Sequence, residues 1–218
     1  MSGSSGRLPW LRRAFAPTMH AAVLRNPVSQ FASGWLLNQQ WNNPYFVAAP
    51  FRVLGLNQSE PVVKQAIETC GVRLPPAQPT SDDAYAMACE QFARTAEGNN
   101  AYRAFIALWI LWASRMSDGV DLVIDVDRLG ASRDYAAELR AAFHARSGLS
   151  PDFSGARDLV EETRRSAGRM TGIDGRSMRV VHSDALKFMA SQGGSSASFA
   201  ELIRKKMVLA NELTGQWR

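Results

Sequence analysis

The sequence predicts a mainly α fold: an irregular multi-helix globular domain of seven or eight helices with at most two short β-strands. Three observations carry this expectation. Beyond residue 57, apolar residues recur at three- and four-residue spacing, the pattern of helices that bury one face. Ser, Thr, Asn or Asp stands before most of these stretches and Gly after them, as at helix ends. Period-two alternation is clear in one segment alone, and no succession of βαβ units calls for a doubly wound sheet.

Residues 1–6, MSGSSG, read as a flexible tail. Residues 7–25 set Trp10, Leu11, Phe15, Met19 and Leu24 among arginines, with Pro9 and Pro17 as interruptions. Asn26 and Pro27 close this stretch, because the residue before proline avoids the helical region. Ser29 is read as the cap of a helix to about Trp41, with Phe31 and Trp35 on one face. Asn42, Asn43 and Pro44 form a turn. Residues 45–56 are apolar but aperiodic, and Pro50 argues against a central strand.

Ser59, Glu60 and Pro61 start a helix whose stripe is Val62, Val63, Ala66, Ile67 and Cys70, with Gly71 as its stop. A proline-rich connection over 72–79 leads to Thr80 and Asp83, spaced as a capping box, and to a helix reaching Glu97 before Gly98. Asn99 or Asn100 caps the next helix. Its run Ala104–Ala113 has no polar face and is predicted to be buried on all sides. It falls well short of the roughly 20 apolar residues of a membrane span.

Asp118 and Gly119 make a turn. Val120, Leu122, Ile124 and Val126 then alternate with Asp121, Val123, Asp125 and Asp127, which predicts a strand. Met178–Val181 is a second candidate strand. Ser132 caps a helix to Ser147, another helix covers about 156–167 with Glu161 facing Arg165, and Ser183 caps a short one ending at Gly193. Ser198 and Glu201 form a capping box for the last helix. Its stripe is Phe199, Leu202, Ile203, Met207, Ala210 and Leu213, and Gly215 ends it.

Charge divides the chain unevenly. No Asp or Glu precedes Glu60, whereas Arg7, Arg12, Arg13, Arg25 and Arg52 do; the remaining 20 basic residues match the 20 acidic ones. The expected organisation is therefore a basic, acid-free N-terminal region, 1–57, which packs on the body or extends from it, and an α-helical domain, 58–218. Arginine outnumbers lysine 21 to 4, which fits a guanidinium-specific role or a GC-rich, bacterial-type genome.

Three constellations invite a chemical reading. Asp121, Asp125 and Asp127 share one face of the predicted strand and could offer oxygens to a hard cation such as Mg²⁺. The calcium-loop spacing fails at Leu129 and Ala136, and the trio is read as the solvated face of an amphipathic edge strand. Cys70 or Cys89 could meet His144 or His182 as nucleophile and base, although no local motif marks them. Buried, inert thiols are the expectation. The basic, Trp-bearing segment is the third: Arg7, Trp10, Leu11, Arg12, Arg13, Phe15 and Arg25 are the expected interaction residues.

The glycine patterns of phosphate and dinucleotide loops are missing, and no cofactor or metal ligand set is assigned. The leading expectation is a soluble, non-enzymatic helical accessory, regulatory or exported protein that acts through a protein partner. A metal-dependent enzyme built on the aspartates and a nucleic-acid binder built on the N-terminal arginines are the alternatives. Two cysteines inside helical patterns point to a reducing, cytoplasmic compartment. The N-terminal arginines also fit export or organelle targeting, without an apolar secretory core.

Overall fold

The computed structural model describes residues 13–15, 19–76, 81–116, 120–193, 197–215 and 217. Among these, ten α-helices and one two-stranded parallel sheet form a mainly α fold. In chain order they are β1 (Ala21–Leu24), α1 (Pro27–Trp41), α2 (Tyr45–Leu56), α3 (Pro61–Cys70), α4 (Asp82–Thr95) and α5 (Gly98–Met116). Then come β2 (Leu122–Asp125), α6 (Val126–Leu129), α7 (Arg133–Ser147), α8 (Leu159–Ser166), α9 (Gly175–Gln192) and α10 (Ala197–Thr214).

Helix α5 is the axis of the molecule. Its apolar run is buried all round, from Ala104 to Ala113 with Trp112 alone half-exposed, and α1, α2, α3 and α9 pack against it. Phe31 of α1 anchors an aromatic cluster at its upper half. Its ring meets Tyr102 edge-on at 4.9 Å and stacks on Trp35 at 5.7 Å. Such pairs add to the area that burial removes from water. Residues of β1, α1 and α2, among them Leu24, Val28, Phe31, Phe51 and Leu54, belong to the same core as the later helices.

Side-chain capping starts several of the helices, at Ser132 where spacing placed it and elsewhere displaced from the expected position. Asn26, not Ser29, caps α1. Its side chain accepts from Ser29 N, and Pro27 occupies the first turn, where its missing N–H costs nothing. Ser81 caps α4 and Ser132 caps α7. The aperiodic stretch 45–56 is helix α2, with Pro50 inside it and its apolar residues divided between α5 and α4. Serving two neighbours blurs the single-face pattern that marks an amphipathic helix.

Met178–Val181 is not a strand. It lies within α9, capped by Asp174, whose carboxylate accepts from the backbone of Arg176 and Ser177. Met178, Val181, His182, Ala185, Phe188 and Met189 form one buried stripe, and that long helical period outweighs a short β-prone run. The second strand is instead β1, which pairs in parallel with β2 from Ala21↔Leu122 to Leu24↔Asp125. His20 and Asp121 close its end, with Asp121 N donating to His20 O and His20 N to Asp121 Oδ2, both at 2.8 Å.

Helices α2 and α4 lie side by side in opposite directions. Gly55 faces Tyr85, Phe51 meets Phe92 edge-on at 5.0 Å, and Arg94 donates to Asn42 Oδ1. A Cβ at Gly55 would stand 1.7 Å from the Tyr85 hydroxyl, so this close approach requires glycine.

Candidate functional site

The predicted aspartate face does not form. Strand β2 stops at Asp125, which turns to cap α6 by accepting from Arg128 N at 3.1 Å. Asp127 thus sits in a helical turn, while Asp121 remains exposed at the far end of the strand with His20. Asp125 and Asp127 are 7% and 5% exposed, not solvated. What permits this is Lys206 of α10, 3% exposed, whose ammonium donates to Asp125 Oδ1 and, at 2.6 Å, to Asp127 Oδ2.

A buried charge is tolerated only when paired and hydrogen-bonded. Further lone pairs of this centre are satisfied from the N-cap of α1. Asn26 donates through its backbone N to Asp127 Oδ2 at 2.7 Å and through Nδ2 to Asp127 Oδ1 at 2.9 Å. The Tyr135 hydroxyl accepts from Asp125 N at 2.9 Å. The position a divalent cation would take between the two carboxylates is filled by the ammonium. Among the described residues no three His, Cys, Asp or Glu side chains converge as a metal set would.

A second buried polar chain joins Tyr102 of α5, His182 of α9 and Asn211 of α10. His182 Nδ1 lies 2.6 Å from Asn211 Oδ1, and Nε2 faces the Tyr102 hydroxyl. The Asn211 oxygen only accepts, so Nδ1 carries the hydrogen and Nε2 accepts from Tyr102. Burial holds His182 neutral and lowers its pKa to about 4, and it raises that of Tyr102 well above the ordinary phenol value.

The candidate cysteine–histidine pair is not part of this chain of groups. Cys70 is pushed up to about 12, first by burial and then by Asp184. Cys89 is raised by burial, and His144 stands exposed on α7 with Ser150 as its neighbour. A thiol held protonated is a poor nucleophile.

Of the expected interaction residues, Arg7, Trp10, Leu11 and Arg12 lie outside the described residues, and Arg13 and Phe15 are exposed. Arg25 is drawn inward. Nη1 donates to Ser33 at 3.3 Å, and Nε is buried without a hydrogen-bond partner. Desolvation lowers its pKa, against the pull of Asp127 and Glu162.

The exposed feature that spacing did not announce is the outer face of α1, α2 and α4. Trp41 is 74% exposed, Tyr45 72%, Met87 64% and Leu37 52%. Between α2 and α4 runs a groove of about 190 Å³, lined by Tyr45, Ala49, Arg52, Val53, Ala86 and Glu90 over a floor of Ala48 and Cys89. One signal in the sequence marks this face: from Asn26 to Gln58 the chain carries a single charged residue, Arg52. Compared with known protein families, curated proteins and solved structures, the chain matches none.

Proposed function

We propose that this chain is a helical protein-interaction module that docks a partner protein on the outer face of α1, α2 and α4. The observation that carries the reading is the exposure of Trp41 and Tyr45 on helices almost free of charge. Interface centres are enriched in Trp, Tyr, Met and Arg, and this face presents Trp41, Tyr45, Met87 and Arg52. The groove, at about 190 Å³, is smaller than the roughly 300–1,000 Å³ of small-molecule sites. It suits one large side chain of a protein better than a substrate. The two buried polar chains support the same reading, because their partners are other buried side chains of the fold.

The test is in-cell cross-linking of the full chain, with cross-linked peptides identified by mass spectrometry. Cross-links should concentrate on residues 37–53 and 86–90 and should be depleted in the Tyr45→Asp variant, an exposed substitution that leaves folding nearly unchanged. Cross-links that map elsewhere and persist in Tyr45→Asp would overturn it.

A further inference from the structure

We infer that the partner seated on this face is a second copy of the same chain, related by a two-fold axis. The inference rests on the reading of the face as an interface and names its occupant. Closed two-fold pairs need a surface that is complementary to itself, since each residue on one copy meets its counterpart's neighbour on the other.

The groove meets that condition in its charges. Its lining holds one cation, Arg52 on α2, and one anion, Glu90 on α4. Both are exposed, and no salt bridge joins them within the chain. A two-fold axis between the helices places Arg52 of each copy opposite Glu90 of the other, giving two ion pairs at the rim of an apolar contact.

The surroundings favour this face over any other for self-association. The chain carries a net charge of +5, so most approaches between copies are opposed by like charge. The stretch 26–58 is the exception, with Arg52 alone, and its charge is the one that Glu90 offsets.

Shape and size agree. Helices α2 and α4 form an antiparallel pair, and two such pairs laid face to face make a four-helix arrangement of the kind that buries apolar stripes. Trp41 and Tyr45 alone uncover about 300 Å² on side chains of roughly 150–250 Å² each. With Leu37, Val53 and Met87 added, the exposed apolar area reaches roughly 550 Å², the larger part of the roughly 800 Å² per partner of a standard interface. The groove of about 190 Å³ on each copy then faces its counterpart across the axis.

The experiment is sedimentation equilibrium of the full chain over a wide concentration range, with four proteins: parent, R52E, E90R and R52E/E90R. Parent protein should form a reversible dimer. Each single reversal sets like charges against one another and should weaken dimerisation on the order of tenfold or more. The double reversal should restore most of the loss, because the ion pairs are remade with their signs exchanged.

Both positions are exposed, and an unchanged melt of each variant separates a lost contact from a lost fold. A parent that stays monomeric at every concentration, or a double variant no tighter than the singles, overturns the two-fold dimer. In the monomeric case, cross-links from residues 37–53 to a different protein, lost in Tyr45→Asp, leave the interface reading standing with another occupant. A monomer with no such cross-links removes both.

Discussion

At the scale of single residues, His182 shows how burial sets chemistry. Asn211 and Tyr102 fix a neutral tautomer, and desolvation, against the Asn211 hydrogen bond and with a smaller contribution from the Arg179 charge, lowers its pKa to about 4 against an ordinary value of 6.5. As pH falls, the unfolded chain takes up this proton first. Stability from this group is therefore intact above about 6.5, declines as pH falls from there to about 4, and levels off below. The total loss is on the order of 3 kcal/mol, at about 1.4 kcal/mol per pH unit. Chemical denaturation from pH 7 to pH 4, with the His182 ring resonance followed by NMR, checks this. A ring that titrates near 6.5 in the native protein would contradict the closed Tyr102–His182–Asn211 chain.

Individual side chains also show what spacing can and cannot reveal. Lys206 follows Arg204 and Lys205, and three adjacent cations read as a solvated run. Yet Lys206 is three positions after Ile203 and four before Ala210, both on the inward stripe of α10. Helical phase alone placed its ammonium in the interior, and an interior ammonium needs carboxylates. Asp125 and Asp127 were visible as a pair. Their partner was not, because it lies 81 and 79 residues further on.

At the scale of elements, Lys206 ties α10 to the end of β2 and to α6. Replacing it by methionine keeps the aliphatic stem and leaves two buried carboxylates without their cation. Lys206→Met is expected to cost about 3–5 kcal/mol, the range for breaking a buried ion pair by removing one partner. A denaturation curve that overlays the parent would show that the three side chains are not joined.

Helix identity was legible where one face is apolar, as in α3, α7 and α10, and the buried run of α5 was legible from its lack of any polar face. It was illegible where an element serves two neighbours. Helix α2 divides its apolar residues between α4 and α5, and β1 reads only as the short run AAVL. Its pairing with β2 depends on a strand about a hundred positions away, which no local pattern encodes. The face proposed for docking was legible in part: the uncharged run 26–51 is plain in the sequence, but its assembly with α4 is a property of the fold.

At the scale of the whole molecule, the acid-free first quarter and the helical body meet in one core. Leu24, Val28, Phe31, Trp35, Phe51 and Leu54 are all buried within it, and Asn26 holds Asp127 by two hydrogen bonds. A chain beginning at Asn57 would lose β1, α1 and α2, and would strip α5 of its aromatic cover. It is expected to show no cooperative thermal transition, as followed by circular dichroism. A sharp melt from that chain would mean that α3 to α10 form a core without them.

Asp127 is bound on one side to Asn26, 101 residues earlier, and on the other to Lys206, 79 residues later. On the ribosome these three positions appear in strict order, and the last is made long after the first. Until α10 emerges, the carboxylates have no cation, and bringing them into the interior is unfavourable. The parallel strands face the same delay, since closing so long a loop is an entropic barrier that later contacts must overcome. The final native arrangement is thus a late event of synthesis. Between the synthesis of Asp127 and that of Lys206, the nascent chain holds this polar centre open.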